Sequence, residues 1–353
     1  MVSGDARPKR PNSSDDRLTT QSFRAMGSDI EVVVVGGPDG IVDIVRRRVE
    51  ELEQRWSRFL PVSEVSRLNA AGGSQVAVST DTRLLIERAI EGWRLTGGSY
   101  DPTLLDELVR AGYDRSFEQL DTAQLDTQVD AAQVDAAQPP SGTYDAPSMG
   151  RSALDLPSCT DIVIDETSVR FPKGLAFDPG GIGKGLAADL AAARALDAGA
   201  AGVSVSVGGD LRVSGDSPTG DGWTLAIEHP ASRTPLALVG LWDGAIATSS
   251  VLRRVWTNAN GTRHHHLIDP STGEPAATDV SFASVIAADA WKAEVLAKSL
   301  ILRGSERAFD LLDGTTAGLI VDEFGKVTGS ERLSKFLGAV PLPVNINPEP
   351  KAT

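Results

Sequence analysis

The sequence predicts an α+β fold of mixed sheets with packed helices. Stretches of strict hydrophobic alternation and stretches of helical spacing both recur along the chain. They mix without the regular strand–helix–strand rhythm of a parallel α/β protein. A hydrophobic content of 41% over 353 residues is enough for a large core. At that length the expectation is one elaborated domain or two intimate lobes.

Residues 1–20 are polar, charged and proline-bearing and read as a disordered tail, with the folded domain over 21–338. Ile30-Glu31-Val32-Val33-Val34-Val35 is β-rich and stops at Gly36-Gly37-Pro38. Residues 41–60 carry Ile44, Val45, Val49, Leu52 and Trp56 at helical spacing, and 84–95 form a second helix closed by Gly97-Gly98. Residues 116–152 hold a degenerate Asp/Ala/Gln repeat followed by Pro139-Pro140. Such a stretch has no face to bury and reads as a flexible surface insertion. Residues 162–164 and 168–171 suggest a hairpin. Residues 184–196 form a helix with Leu186, Leu190, Ala193 and Leu196 on one face, and Val203-Ser204-Val205-Ser206-Val207 alternates as a half-buried strand does. Strands follow at 225–227, 237–241, 283–287 and 317–321. A last long helix spans 288–302, closed by Gly304, and residues 339–353 form a loose proline-rich tail.

With 34 Lys and Arg against 48 Asp and Glu, the formal charge is −14, which argues against a nucleic-acid-binding surface. An anionic ligand therefore needs local positive charge. The single Cys159 excludes an intramolecular disulfide and a cysteine metal cluster. No apolar run approaches membrane-spanning length, and Met1 to Arg10 lacks the apolar stretch of a secretory signal, so a cytoplasmic location is expected.

Five segments carry candidate chemistry. Arg263-His264-His265-His266-Leu267-Ile268-Asp269-Pro270-Ser271-Thr272-Gly273 holds three of the four histidines and reads as a strand entering a tight turn. In a strand His264 and His266 share a face, and two ligands fall short of what zinc needs. One histidine acting as a proton acceptor needs only position and a suitable pKa. Asp178-Pro179-Gly180-Gly181-Ile182-Gly183-Lys184-Gly185 is a glycine-rich loop opening a helix, a place that suits phosphate. It fits neither the P-loop nor the G-x-G-x-x-G pattern, so a plain dinucleotide dehydrogenase is disfavoured, and a tight strand-to-helix connection explains it equally well. In Val207-Gly208-Gly209-Asp210 the glycines permit close approach of a ligand, but an ordinary turn with Asp210 at a cap is favoured. In Thr96 to Thr103, Tyr100 can pack on a planar ligand and Asp101 can accept hydrogen bonds, although Asp-Pro-Thr is also a normal helix start. Glu294 and Lys298 stand four apart on the last helix, and the bland reading is a helix pair worth roughly 0.2–0.5 kcal/mol with no other role.

Together these segments resemble the bacterial FAD:protein FMN transferases of the ApbE family. The resemblance covers about Phe23 to Arg303 and adds Met26-Gly27-Ser28, Phe59 to Asn69 and Ala247-Thr248-Ser249, all in family order. It implies transfer of FMN from FAD onto a Thr or Ser of a partner flavoprotein, with release of AMP. FAD pyrophosphatase activity and a non-catalytic FAD-binding protein are the alternatives. It further implies that Met26, Phe59, Ser99, Tyr100, Asp101, Asp178, Lys184, Thr248, Ser249 and Ile268 line the FAD site. His266 would accept the hydroxyl proton, and Lys184 would meet the pyrophosphate. The family holds magnesium (Mg2+) at positions matching Gly181, Glu294 and Lys298. Lysine cannot ligate while protonated, so either Lys298 replaces the metal or metal-dependent chemistry is lost. Ser250 also stands where the family has glycine.

Overall fold

The computed structural model describes residues 18–116, 157–229, 232, 234–257, 263–338 and 345–347. The expected insertion lies outside the described residues apart from Ser116, as do residues 1–17, which carry the expectation about location. Among the described residues no helix is long and apolar enough to cross a membrane.

The elements run β1 (Leu18–Ala25), β2 (Ser28–Val35), α1 (Ile41–Trp56), α2 (Glu64–Ala70), β3 (Gln75–Ala77), α3 (Thr80–Leu95) and α4 (Leu105–Arg110). After the insertion come β4 (Val163–Ile164), β5 (Ser168–Arg170), α5 (Gly183–Asp197), β6 (Gly202–Val207), β7 (Asp210–Gly215), β8 (Trp223–Ile227), β9 (Ala237–Leu241) and β10 (Gly244–Ser250). The chain closes with β11 (Val255–Thr257), β12 (Arg263–His265), β13 (Ile268–Asp269), β14 (Glu274–Pro275), β15 (Val280–Ala287), α6 (Ala290–Arg303), β16 (Ala317–Asp322), β17 (Val327–Ser330) and β18 (Asn345–Asn347).

A nine-stranded sheet runs in the order β1-β2-β6-β7-β10-β15-β16-β17-β18. Its pairs are antiparallel except for β18, which joins β17 in parallel from within the stretch expected to be loose. The two faces are covered differently. Val32, Val34, Val203, Val205 and Ala245 pack under α1 and α5, while Ala247, Ala283, Val285 and Ile320 pack under α6. The opposite face buries Val213, Ile246, Phe282 and Ile286 against the β8–β9 hairpin. The alternation along β10 serves both layers: Ala245 and Ala247 face helices, and Ile246 faces the hairpin. Because β6 is central, its serine face is also largely covered, and Ser204 is 8% exposed where a half-buried strand was expected.

A second core joins the end of α1, α2, α3 and the small β3-β5-β4 sheet, with Trp56, Leu68, Leu85, Phe171 and Phe177 fully or nearly fully buried. Each such side chain contributes roughly 1.5–3 kcal/mol. The helix expected over 41–60 ends at Trp56. Ser57 turns extended, and Ser63 caps the next helix by accepting the Ser66 N–H at 3.0 Å. The chain between must loop, and that loop carries Arg58 and Phe59 to the site.

Candidate active site

A cleft of about 760 Å³ opens where the β1–β2 turn, the end of α1, the Tyr100 turn, the start of α5 and the strand ends near His266 converge. That size suits a ligand of drug or cofactor dimensions. Met26, Phe59, Ser99, Tyr100, Asp101 and Asp178 line it, together with Gly181, Lys184, His266, Ile268 and Lys298. Thr248 and Ser249 do not line it. They sit in β10, where Thr248 Oγ1 is 3.0 Å from Ser284 Oγ and Ser249 is buried.

Long-range hydrogen bonds fix the loops. Asn69 mimics a strand partner for Phe177, donating to its carbonyl at 2.9 Å and accepting its N–H at 2.8 Å. Asp178 N–H then donates to the Pro102 carbonyl at 2.8 Å, tying the glycine-rich loop to the Tyr100 turn. The Tyr100 ring packs on the backbone of that loop: a Cβ on Gly181 would lie 2.5 Å from its Cε2. Tyr100 therefore supports the loop instead of offering a free stacking face. Its phenol oxygen is buried without a hydrogen-bond partner, and burial pushes its pKa well up, with the Glu294 and Asp178 charges adding. It is a neutral donor with an unmet bond. Asp101 Oδ1 accepts the Thr103 N–H at 2.8 Å and hydroxyl at 2.6 Å, which is the helix-start role. Ser99 Oγ accepts from Arg303 Nε at 3.1 Å. Met26 is held at φ 54, its N–H donating to Glu53 Oε1 at 2.8 Å.

One wall is aromatic. The Arg58 guanidinium lies 4.3 Å from the Phe59 ring centroid and 4.7 Å from that of Tyr113. Tyr113 stacks on Trp256 at 5.4 Å, and Trp256 on His264 at 6.4 Å. Arg58 is also paired with Asp178 at 3.1 Å.

The three histidines separate by role. His264 is stacked on Trp256. His265 accepts the Leu267 N–H at Nδ1 (3.2 Å) and places Nε2 3.2 Å from the Ala276 carbonyl oxygen. His266 lies just past the end of β12 in the cleft wall, with Nδ1 buried and unpartnered. Burial holds its pKa well below the ordinary value, and the nearby Arg254 and Lys298 cations push the same way. The imidazole is thus neutral.

The charged centre sits at the start of α5. Lys184 Nζ donates to Asp210 and, at 3.0 Å, to Glu294 Oε1. Lys298 Nζ donates to the same Oε1 at 2.9 Å, and the Gly185 N–H donates to Oε2 at 2.8 Å. Burial alone would raise the Glu294 carboxyl. The two ammoniums and the N–H outweigh it and hold it at about 2. Lys298 is lowered by burial, against the pull of Glu294, whereas Lys184 ends raised because Asp210 and Glu294 together outweigh burial. Two bland expectations fail here. Asp210 is an ion-pair partner of Lys184, and Glu294 with Lys298 is no isolated helix pair, because both are buried and Glu294 also takes Lys184. The Gly185 bond also means that a carboxylate already occupies part of the α5 N-terminus.

The residues matched to magnesium do not form a magnesium donor set. Oε1 of Glu294 accepts from two ammoniums and Oε2 from a backbone N–H, while Lys298 offers no lone pair. Among the described residues no group of three or more His, Cys, Asp or Glu is placed to hold a metal.

Sequence reasoning missed Arg58, Tyr113 and Arg254, all cleft-lining. Arg58 stood beside a named segment. Nothing local marked Arg254, which has φ 51 and donates to Ser28 Oγ at 3.3 Å.

Known proteins resemble this chain over most of its length. A sequence profile of the ApbE family matches residues 26–320. An FAD:protein FMN transferase of Vibrio cholerae is 28% identical over 325 residues, covering 88% of this chain and 90% of that one. One from Treponema pallidum is 29% identical, covering 71% and 67%. The crystal structure of the ApbE protein of Thermotoga maritima superposes with a TM-score of 0.75 at 26% identity, covering 91% of this chain and all of the other.

Proposed function

The chain belongs to the ApbE family, and from that premise we propose that it is a transferase moving FMN from FAD onto a Thr or Ser hydroxyl of an acceptor flavoprotein. The observation that carries the mechanism is the neutral, unpartnered His266 in the same cleft as the Lys184 centre.

FAD is the substrate. The Phe59 and Tyr113 wall with the Arg58 guanidinium offers its rings a stacking surface. The Tyr100 phenol offers a hydrogen bond to an acceptor atom, and Lys184 and Arg254 offer positive charge to the pyrophosphate. The acceptor hydroxyl oxygen attacks the phosphorus of the FMN half. A new P–O ester bond forms, and the P–O bond to the AMP phosphate breaks. The electron pair leaves with AMP, and the hydroxyl proton passes to the His266 imidazole. The cations offset the charge that builds on the phosphoryl oxygens. No step is assigned to a metal.

The test is incubation of the protein with FAD and a candidate acceptor, followed by chromatography. AMP with protein-bound FMN supports the reading. AMP with free FMN makes the protein a hydrolase, and intact FAD in the presence of a flavinylatable acceptor overturns catalysis.

A further inference from the structure

We propose that Lys298 replaces the divalent cation in this centre, so that the cleft engages the FAD pyrophosphate with ammonium and guanidinium groups and without magnesium. The proposal rests on the flavin-transfer reading and adds the identity of the cations that meet the pyrophosphate.

Three observations carry it. First, Lys298 Nζ sits 2.9 Å from Glu294 Oε1, and Lys184 Nζ sits 3.0 Å from the same oxygen. A magnesium ion needs ligand oxygens at about 2.0–2.1 Å in near-octahedral array. Any ion on Oε1 would lie against two ammoniums, and the carboxylate has no oxygen left without a donor. Second, the charges close. Lys184 and Lys298 are balanced by Glu294 and Asp210, so the four groups form a neutral centre that needs no further cation. Third, the cleft still has positive charge for a dianionic pyrophosphate. Among the described residues Arg254 has no carboxylate partner; its one side-chain bond is to Ser28 Oγ. A lysine at 298 therefore does two things: it neutralises Glu294 as a metal would, and it brings a donor to the cleft surface.

The experiment uses the full chain and two probes. FAD binding is followed by flavin fluorescence in EDTA and in excess magnesium, and Mn2+ binding by electron paramagnetic resonance. Wild type is expected to bind FAD with the same Kd in both buffers and to leave Mn2+ free. Lys298→Met is expected to weaken FAD binding by about tenfold or more, the scale of a lost charge-assisted hydrogen bond. Lys298→Thr, which supplies an oxygen and removes the charge, is expected to gain Mn2+ binding and to bind FAD more tightly with magnesium. FAD bound by wild type only with magnesium, or Mn2+ held tightly by wild type, overturns this inference while leaving flavin transfer standing. FAD ignored in every buffer overturns the flavin reading and this inference with it. The Mn2+ measurement on wild type is independent of whether any variant folds.

Discussion

Lys298 and Glu294 lie one helical turn apart on α6, with Nζ 2.9 Å from Oε1 and both side chains buried. In water such a pair contributes a few tenths of a kcal/mol. Removed from water, and with Lys184 on the same oxygen, the carboxylate is costly to remove, because two cations and the Gly185 N–H lose their acceptor.

Glu294→Ala is therefore expected to destabilise the protein by roughly 3–5 kcal/mol, the cost of breaking a buried pair from one side. Thermal melts would show it. The sign with pH follows from the carboxyl being held at about 2 against an ordinary 4.5. In wild type its stabilisation is complete above the ordinary value and is lost as pH falls through 4.5 toward 2. A melt series in which wild type and Glu294→Ala lose stability in parallel over that range would refute this.

His266→Ala is expected to lower the transfer rate by roughly 10²–10⁴-fold while FAD affinity holds, as loss of a general base should. Because the folded-state pKa of His266 is depressed, the base stays neutral to below pH 6.5. The acid limb of kcat/KM should therefore fall below that value in wild type. An acid limb above pH 7, or an unchanged rate in the variant, would remove the base assignment.

Gly181→Ala places a methyl 2.5 Å from Tyr100 Cε2. The ring is 4% exposed and packed into the core around it, so it has little room to retreat. Overpacking of this kind costs roughly 1–3 kcal/mol, and FAD binding should weaken with it. Wild-type stability and affinity in Gly181→Ala would show that the loop has slack.

Phe59 is 37% exposed and contributes little to the core, so Phe59→Ala should melt like wild type. Its loss from the aromatic wall should weaken FAD binding by roughly 1–3 kcal/mol, the scale of one base–aromatic stack. Calorimetric titration with FAD decides this, and an unchanged Kd would place the rings elsewhere.

Lys298→Met separates metal replacement from metal loss. If the ammonium contacts the pyrophosphate, FAD affinity drops and magnesium does not restore it. Restoration by magnesium would mean that the lysine had merely displaced an ion.

Several features were legible in the chain because they are local. Alternation and helical spacing gave α1, α3, α5 and β2, each within a few residues, since each turns one face to a core, whereas α6, buried almost all round, was marked by its length and by Gly304 after it. The order of short motifs gave the family. The element over 41–60 came out too long because helical spacing continues past Trp56 to Leu60, and only the Ser63 cap and the Phe59 position in the cleft show where the helix stops. β10 (Gly244–Ser250) has Ile246 as its single bulky residue among small ones, too little to announce a strand.

The tertiary structure alone decided the roles within the site. Three adjacent histidines are equivalent in sequence, and they differ only because Trp256 takes one, Ala276 and Leu267 hold another, and the third faces the cleft unpartnered. Asp210 and Glu294 meet Lys184 across 26 and 110 residues of chain. Arg254 enters the cleft from a left-handed backbone position. Periodicity records which face of an element is buried. Charge pairing across the fold depends on distances between elements, and those are set only when the sheet and its helices pack.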